Sequence, residues 1–322
     1  MNRRLLPTLL IALGLVVVGP VSASAAKIKV AVGIGDQSPK MFADANWKSL
    51  KLKKTRYFIE WNAIDNPDEL ASADEFVGAA RGAGVKVFMH ISTDDINAVP
   101  ARPLPSVANY KKKVKSLITR YKAVGVRDWG VWNEANHKSQ PTSKNPKRAA
   151  DFYKAFKGMC TNCKIVALDV LDQAGVERYI ARWLKAAGSS GRTAKIFGIH
   201  NYSQVNRRIT AKKATNRYPG TARIIKAVRK QNKKAKFWYT ETGGLASFAS
   251  FKCDKKRQAS RTKFMFDMIK TYDKDVERLY SYNWFGTGNG GCDGFDAGLV
   301  ESNGAVRPAY AVFKKGLKKA GK

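Results

Sequence analysis

The chain has 322 residues, room for two ordinary domains or one large α/β barrel, and a hydrophobic share of 44% that suits a buried core. Charge is the outlier, with 59 basic against 25 acidic residues and a formal net charge of +34. The excess lies in short patches along the whole chain (51–54, 111–113, 212–213, 233–234, 314–315), with no nucleic-acid module and no basic groove interleaved with aromatics. Specific nucleic-acid binding is therefore not expected, whereas salt-sensitive attraction to anionic polymers such as a cell envelope or an acidic polysaccharide is.

Residues 1–26 carry Arg3 and Arg4, an apolar run over 9–18, and Ala23-Ser24-Ala25. This pattern predicts a secretory signal with an A-x-A cleavage site, too short in its apolar part to span a bilayer. Residues 27–322 are then an exported domain, expected to be monomeric and without a membrane span. Its four cysteines, Cys160, Cys163, Cys253 and Cys292, are expected as disulfides in that setting. Cys160-Thr161-Asn162-Cys163 also fits a redox pair or half a metal site, but there is no second C-x-x-C, and a local bridge is the expectation.

From residue 29 onward, short β-branched runs alternate with longer amphipathic ones. Strands are predicted at 29–33, 55–61, 85–90, 126–133, 164–169, 195–200, 236–241 and 278–284. Helices are predicted near 36–47, 66–82, 105–123, 145–159, 175–187, 219–231, 256–272 and 308–317. Asn66-Pro67-Asp68-Glu69 shows the logic of a helix start: Pro suits the first turn and the acids suit its positive end. Eight strands, each followed by a helix and apolar enough to be covered on both faces, predict a single (β/α)8 TIM barrel over 27–322. A doubly wound open sheet is the other arrangement of such units, but the first strand lacks the G-x-G-x-x-G phosphate cradle expected with it.

In a barrel the ring of strand carboxyl ends is the active face. The residues predicted there are Glu60-Trp61, His90, Trp132-Asn133-Glu134, Asp169, His200-Asn201-Tyr202, Glu241 and Trp284. Glu134, at the tip of the fourth strand, could be an ordinary surface carboxylate. Glu241 at the tip of the seventh, with all three histidines, His90, His137 and His200, at or just past strand ends, favours a catalytic reading. Two carboxyls facing each other across a pocket suit glycosidic cleavage, one as proton donor and one attacking or activating water. Period-two alternation predicts that His200 and Tyr202 both support Glu241, and that Trp132 and Trp284 wall the site and raise the pKa of whichever glutamate keeps a proton.

Asn133-Glu134, Thr240-Glu241-Thr242-Gly243, His200 with Tyr202, and Trp284 together resemble clan A of the glycoside hydrolases, retaining (β/α)8 enzymes. The resemblance implies Glu134 as acid/base, Glu241 as nucleophile, and Asn133 as donor to the sugar 2-hydroxyl. It also implies His200 and Tyr202 as partners of the nucleophile and Trp284 as the floor beneath the cleaved sugar, and His90 matches the clan's frequent strand-three His; Trp132 and Trp61, from their place on the rim, are further substrate-binding candidates. No metal or organic cofactor is needed for this chemistry, and the substrate is an oligo- or polysaccharide. Two features depart from the clan: Ala135 stands where Pro is frequent, and Arg56 begins its strand rather than ending it, which leaves the nucleophile's usual arginine support unassigned. Cys253 and Cys292 fall in loops after neighbouring strands and are predicted to pair, contributing on the order of 3–4 kcal/mol. The alternative is a non-catalytic barrel that binds anionic envelope polymers through its basic surface.

Overall fold

The computed structural model describes residues 28–98, 101–288 and 291–321; the expected signal over 1–26 lies outside the described residues. Eight parallel strands are present: β1 (Ile28–Gly35), β2 (Lys54–Glu60), β3 (Lys86–Ser92), β4 (Asp128–Gly130), β5 (Lys164–Leu171), β6 (Ile196–His200), β7 (Lys236–Thr242) and β8 (Val276–Tyr282). Consecutive strands pair in order, and β1 pairs with both β8 and β2, so the sheet closes into the predicted barrel. A short β9 (Ala320–Gly321) pairs with the start of β1.

The covering helices are α1 (Ala45–Leu50), α2 (Pro67–Gly82), α3 (Val107–Ala123), α4 (Pro146–Met159), α5 (Val176–Ala187), α6 (Ser189–Arg192), α7 (Tyr202–Arg207), α8 (Gly220–Arg229), α9 (Lys255–Thr271) and α10 (Pro308–Leu317). Local chemistry sets their starts: Asp44, Asn66, Ser106, Asn145 and Asp254 each accept a first-turn N–H, satisfying donors the helix itself cannot. The predicted helix over 36–47 is instead a 3₁₀ turn, Pro39–Phe42, followed by α1, because Asp44 caps a new start within it. No helix among the described residues is long and apolar enough to cross a membrane.

Two apolar layers result. The larger fills the space between strands and helices and includes Trp129, Trp132, Trp183 and Trp284; the smaller plugs the barrel interior with Phe88, Val166, Ile196, Trp238 and Tyr280. Beneath that plug, Arg278 lies 3.8 Å from the Trp238 ring centroid and pairs with Asp128. Above it the interior turns polar, and glycines make the room. A Cβ at Gly130 would lie 2.0 Å from the His90 ring, and one at Gly198 would lie 2.1 Å from Asp169 Oδ2. Buried His90 and Asp169 thus occupy volume that any side chain on the neighbouring strand would take.

Candidate active site

The polar layer sits at the carboxyl ends of the strands, where Arg56 of β2 reaches into the barrel. Its Nη1 donates to Glu241 Oε2 at 2.7 Å, its Nη2 donates to Asn133 Oδ1 at 2.7 Å, and its Nε and Nη2 lie 3.3 and 3.2 Å from His90 Nδ1. The side chain is 1% exposed. The arginine partner of Glu241 left unassigned in the sequence is Arg56, two residues inside its strand, whose long side chain climbs to the mouth. His90 does not reach the pocket: it is fully buried, and burial, with Arg56 and His200 nearby, pushes its pKa down to about 3, so it stays a neutral acceptor against Arg56.

Tyr202 Oη donates to Glu241 Oε1 at 2.8 Å. Burial and the Glu241 charge push the phenol far above its ordinary pKa, which keeps it a donor. Tyr202 is not on the sixth strand as predicted; β6 ends at His200 and Tyr202 opens α7.

His200 departs from its predicted partner. Its Nδ1 lies 2.9 Å from Glu134 Oε1 but 3.9 Å from Glu241 Oε2, and its Nε2 lies 3.1 Å from Asp169 Oδ1. Burial opposes charge on this ring, yet Asp169, Glu241 and Glu134 together outweigh it and hold His200 above its ordinary pKa. Glu134 shows the converse. Burial would push it up, but the His200 hydrogen bond and the charges of His200, His137 and Arg56 prevail and hold it below its ordinary value. The apolar wall expected to raise the pKa of the proton-keeping glutamate is not found at Glu134, where the His200 ring faces the carboxylate instead.

Asp169 anchors this arrangement. Its Oδ1 accepts from the Glu134 N–H at 3.0 Å, its Oδ2 accepts from Thr240 Oγ1, and its carbonyl accepts from the Ala135 N–H at 3.0 Å. Glu134 itself has φ +43°, a left-handed conformation that a non-glycine residue adopts only when its surroundings enforce it, and such strain clusters at functional sites. One ligand-capable atom from each of Glu134, His200 and Glu241 lies within 4.8 Å of the others. That spacing could also hold a cation, but Arg56 already supplies positive charge at 2.7 Å from Glu241.

Three predicted tryptophans do not line the site. Trp132 stacks on Phe152 at 5.1 Å and donates from Nε1 to Gln140, on the helix side of the barrel. Trp284 is fully buried and packs edge-on against Tyr310 of α10 at 6.0 Å. Trp61 lies past the end of β2 in the helix layer, with Lys113 Nζ 4.9 Å from its ring. Tyr282, half-buried at the end of β8, stands close enough to Glu241 that burial and the Glu241 charge push its pKa upward. From it a file of rings runs outward: Phe58 at 6.5 Å on one side, Phe295 at 6.2 Å on the other, then Phe248 a further 5.3 Å along and 45% exposed.

The family model of the glycosyl hydrolase catalytic core matches residues 103–313. The chain belongs to this family. It is a glycoside hydrolase, and the clan A resemblance read from the sequence holds. No curated protein matches the sequence. Among solved structures it is similar to a family 39 glycoside hydrolase from the gut symbiont Bacteroides cellulosilyticus WH2, at 15% identity and TM-score 0.60, covering 89% of this chain and 64% of that one. It thus spans less than two thirds of that relative. It is also similar to native xylanase 10B from Thermotoga maritima, at 15% identity and TM-score 0.61, covering 91% and 96%. A psychrophilic family 10 endo-β-1,4-xylanase matches at 15% identity and TM-score 0.58, covering 89% and 96%. At such identities the likeness is one of fold.

Both predicted bridges of the hydrolase, Cys160–Cys163 and Cys253–Cys292, are bonded, and there is no free cysteine among the described residues. The second ties the loop carrying Phe248 to the loop carrying Phe295. Arg307 steadies the latter by bonding Asp296 at 2.6 and 2.9 Å and Glu301 at 2.8 Å.

Proposed function

We propose that the hydrolase is a secreted, monomeric, retaining enzyme that cleaves β-linked glycans by double displacement, with Glu241 as nucleophile and Glu134 as acid/base. The observation that carries this reading is the close opposition of the two carboxylates, one held by Arg56 and Tyr202 and the other by His200. One oxygen of each carboxylate lies within 4.8 Å of the other, which supports the roughly 5 Å spacing of a retaining pair over the ~6.5–9.5 Å of an inverting one. Export rests on the predicted signal over 1–26 and on the two disulfides, which suit an oxidising compartment.

In the first step Glu241 attacks the anomeric carbon, the glycosidic C–O bond breaks, and the leaving oxygen takes a proton from Glu134. In the second, Glu134 takes a proton from water, whose oxygen attacks the same carbon and displaces Glu241. Before substrate arrives, the proton of the Glu134–His200 pair resides on His200. Sugar in the pocket excludes water and disfavours the separated charges, and the proton then moves along the 2.9 Å hydrogen bond to Glu134. Asn133, its oxygen committed to Arg56, presents its NH₂ to the sugar 2-hydroxyl. Tyr282 replaces Trp284 as the ring beneath the sugar.

The xylanases among the fold neighbours make a β-1,4-xylan the first substrate to assay, within a panel of wall polysaccharides. Anomeric configuration of the first-formed product, read by proton NMR, tests the mechanism. Retained configuration is expected, and inversion would sink the double displacement.

A further inference from the structure

A ring of lysines lies at the end of the barrel opposite the carboxylates. Lys54, Lys86, Lys164 and Lys236 are the first residues of β2, β3, β5 and β7, and Lys195 immediately precedes β6. Parallel strands all begin at one end, so these lysines ring a single face; Lys54 stands directly opposite Lys86 in the ladder. The Lys54 ammonium is held below its ordinary range by burial, and by the charges of Arg278, Lys86 and Lys164.

Part of this face is hollow. A cavity of about 920 Å³ is lined by six exposed cations, Lys164, Arg192, Lys195, Lys230, Lys233 and Lys234, with half-buried Lys236 between them. Its one carboxylate, Glu277, accepts from the Trp238 indole at 3.3 Å. Among the described residues none of the six cations stands in an ion pair, whereas Lys113, Arg120, Lys147, Lys154 and Arg223 on other faces all do. Cys163 lines the same cavity, so the Cys160–Cys163 bridge fixes the turn that presents Lys164.

We propose that this cavity is a second, non-catalytic binding site, and that its ligand is an anionic polysaccharide whose units carry carboxylate or phosphate groups. The volume lies in the ~300–1,000 Å³ range of sites that enclose a discrete ligand segment. The lining supplies what such a glycan offers partners for: cations for its anions, and the exposed side chains of Thr193 and Gln231 for its hydroxyls. It supplies no aromatic ring on which a nucleic-acid base would stack, and its concavity with few apolar residues does not suit a bilayer surface. On β7 five residue steps separate Lys236, in this lining, from Glu241, roughly 17 Å of strand, so a wall polymer held here leaves the mouth open. The proposal stands apart from the catalytic reading above.

The test compares Lys195→Glu/Lys233→Glu/Lys234→Glu with Lys48→Glu/Lys112→Glu/Lys315→Glu, an equal charge change on exposed positions of α1, α3 and α10. Affinity for polygalacturonate and for phosphomannan is measured at low and moderate salt, with single-stranded DNA and neutral xylan as controls. The cavity variant should lose tenfold or more in affinity on at least one anionic glycan, and the wild-type affinity should fall steeply with salt, roughly in proportion to the charges engaged. A carboxylate ligand shows in the polygalacturonate arm and a phosphate ligand in the phosphomannan arm. Equal losses in both variants would overturn the proposal in favour of unlocalised charge, and DNA binding as tightly as the better glycan would overturn it in favour of a general polyanion surface. Should charge reversal impair folding, judged by circular dichroism, Lys195→Gln/Lys233→Gln/Lys234→Gln is read against the same outcomes.

Discussion

Glu134 and Glu241 are the same residue in one pocket, yet their partners differ in kind. Glu241 is gripped by a guanidinium and a phenol, both of which donate to it. Glu134 is gripped by an imidazole whose pKa its carboxylate neighbours raise, with a second imidazole, His137 Nδ1, 3.8 Å from its other oxygen. In the proposed mechanism the nucleophile must stay an anion and the acid/base must trade a proton, and it is the partners, more than burial, that differ between the two. Burial acts on both carboxylates alike: their side chains are 14% and 11% exposed.

The contrast is broken most directly at Glu241. Glu241→Ala should lower kcat on every glycan by ~10⁴-fold or more, as removal of a covalent nucleophile does elsewhere, with circular dichroism unchanged. Hydrolysis within about tenfold of wild type would end the assignment. Glu134→Ala should cost ~10²–10⁴-fold on polysaccharides, and far less in the first step on aryl glycosides whose leaving oxygen needs no proton. Equal losses on both substrate types would show that Glu134 is not the proton donor. Arg56→Met should lower kcat as Glu241 loses its permanent partner, and should destabilise the fold by ~3–5 kcal/mol, the range for breaking a buried ion pair; unchanged chemical denaturation would contradict the network.

His200→Gln separates the pair from its surroundings. The raised pKa of His200 contributes stability that is fully present below pH 6.5 and lost as pH rises through the raised value. The lowered pKa of Glu134 contributes stability that is fully present above pH 4.5 and lost as pH falls through the lowered value. The pair therefore supports the fold most between those limits. His200→Gln should flatten the Tm profile over that window and shift the limbs of the kcat/KM pH profile, whereas a purely structural role would lower Tm evenly and leave the profile's shape alone.

Much of this site was legible because a barrel converts strand ends into neighbours. Once eight strands are counted, Asn133, Glu134, His200 and Glu241 must share a rim. What misled was assuming that residues at strand ends are the ones that face the mouth. Arg56 acts from inside β2 because its side chain spans the remaining rise, a reach that position in a strand does not reveal. Trp132 follows the alternation rule, which puts it on the face opposite its neighbour Asn133, and so among the helices; that signal was present in the sequence. Trp284 shares parity with Tyr282, but β8 ends at Tyr282 and the rule ends with it. The partner of His200 was hidden for a different reason, since β6 stands between the strands carrying both glutamates and alternation alone does not choose between them.

The two carboxylates also differ in what lies beyond them. Tyr202, Tyr282, Phe295 and Phe248 all extend from the Glu241 side, and the loops carrying Phe248 and Phe295 are tied by Cys253–Cys292. Rings in file present faces against which successive sugars can stack, and a 45% exposed phenylalanine at the end of the file is otherwise unfavourable to leave in water. Phe248→Ala should therefore raise KM on long glycans by ~2- to 10-fold, the equivalent of one aromatic contact, with kcat and activity on a short aryl glycoside unchanged. An equal change on short and long substrates would place Phe248 at the reacting sugar instead, and no change on either would mean that the polymer leaves the pocket on the Glu134 side.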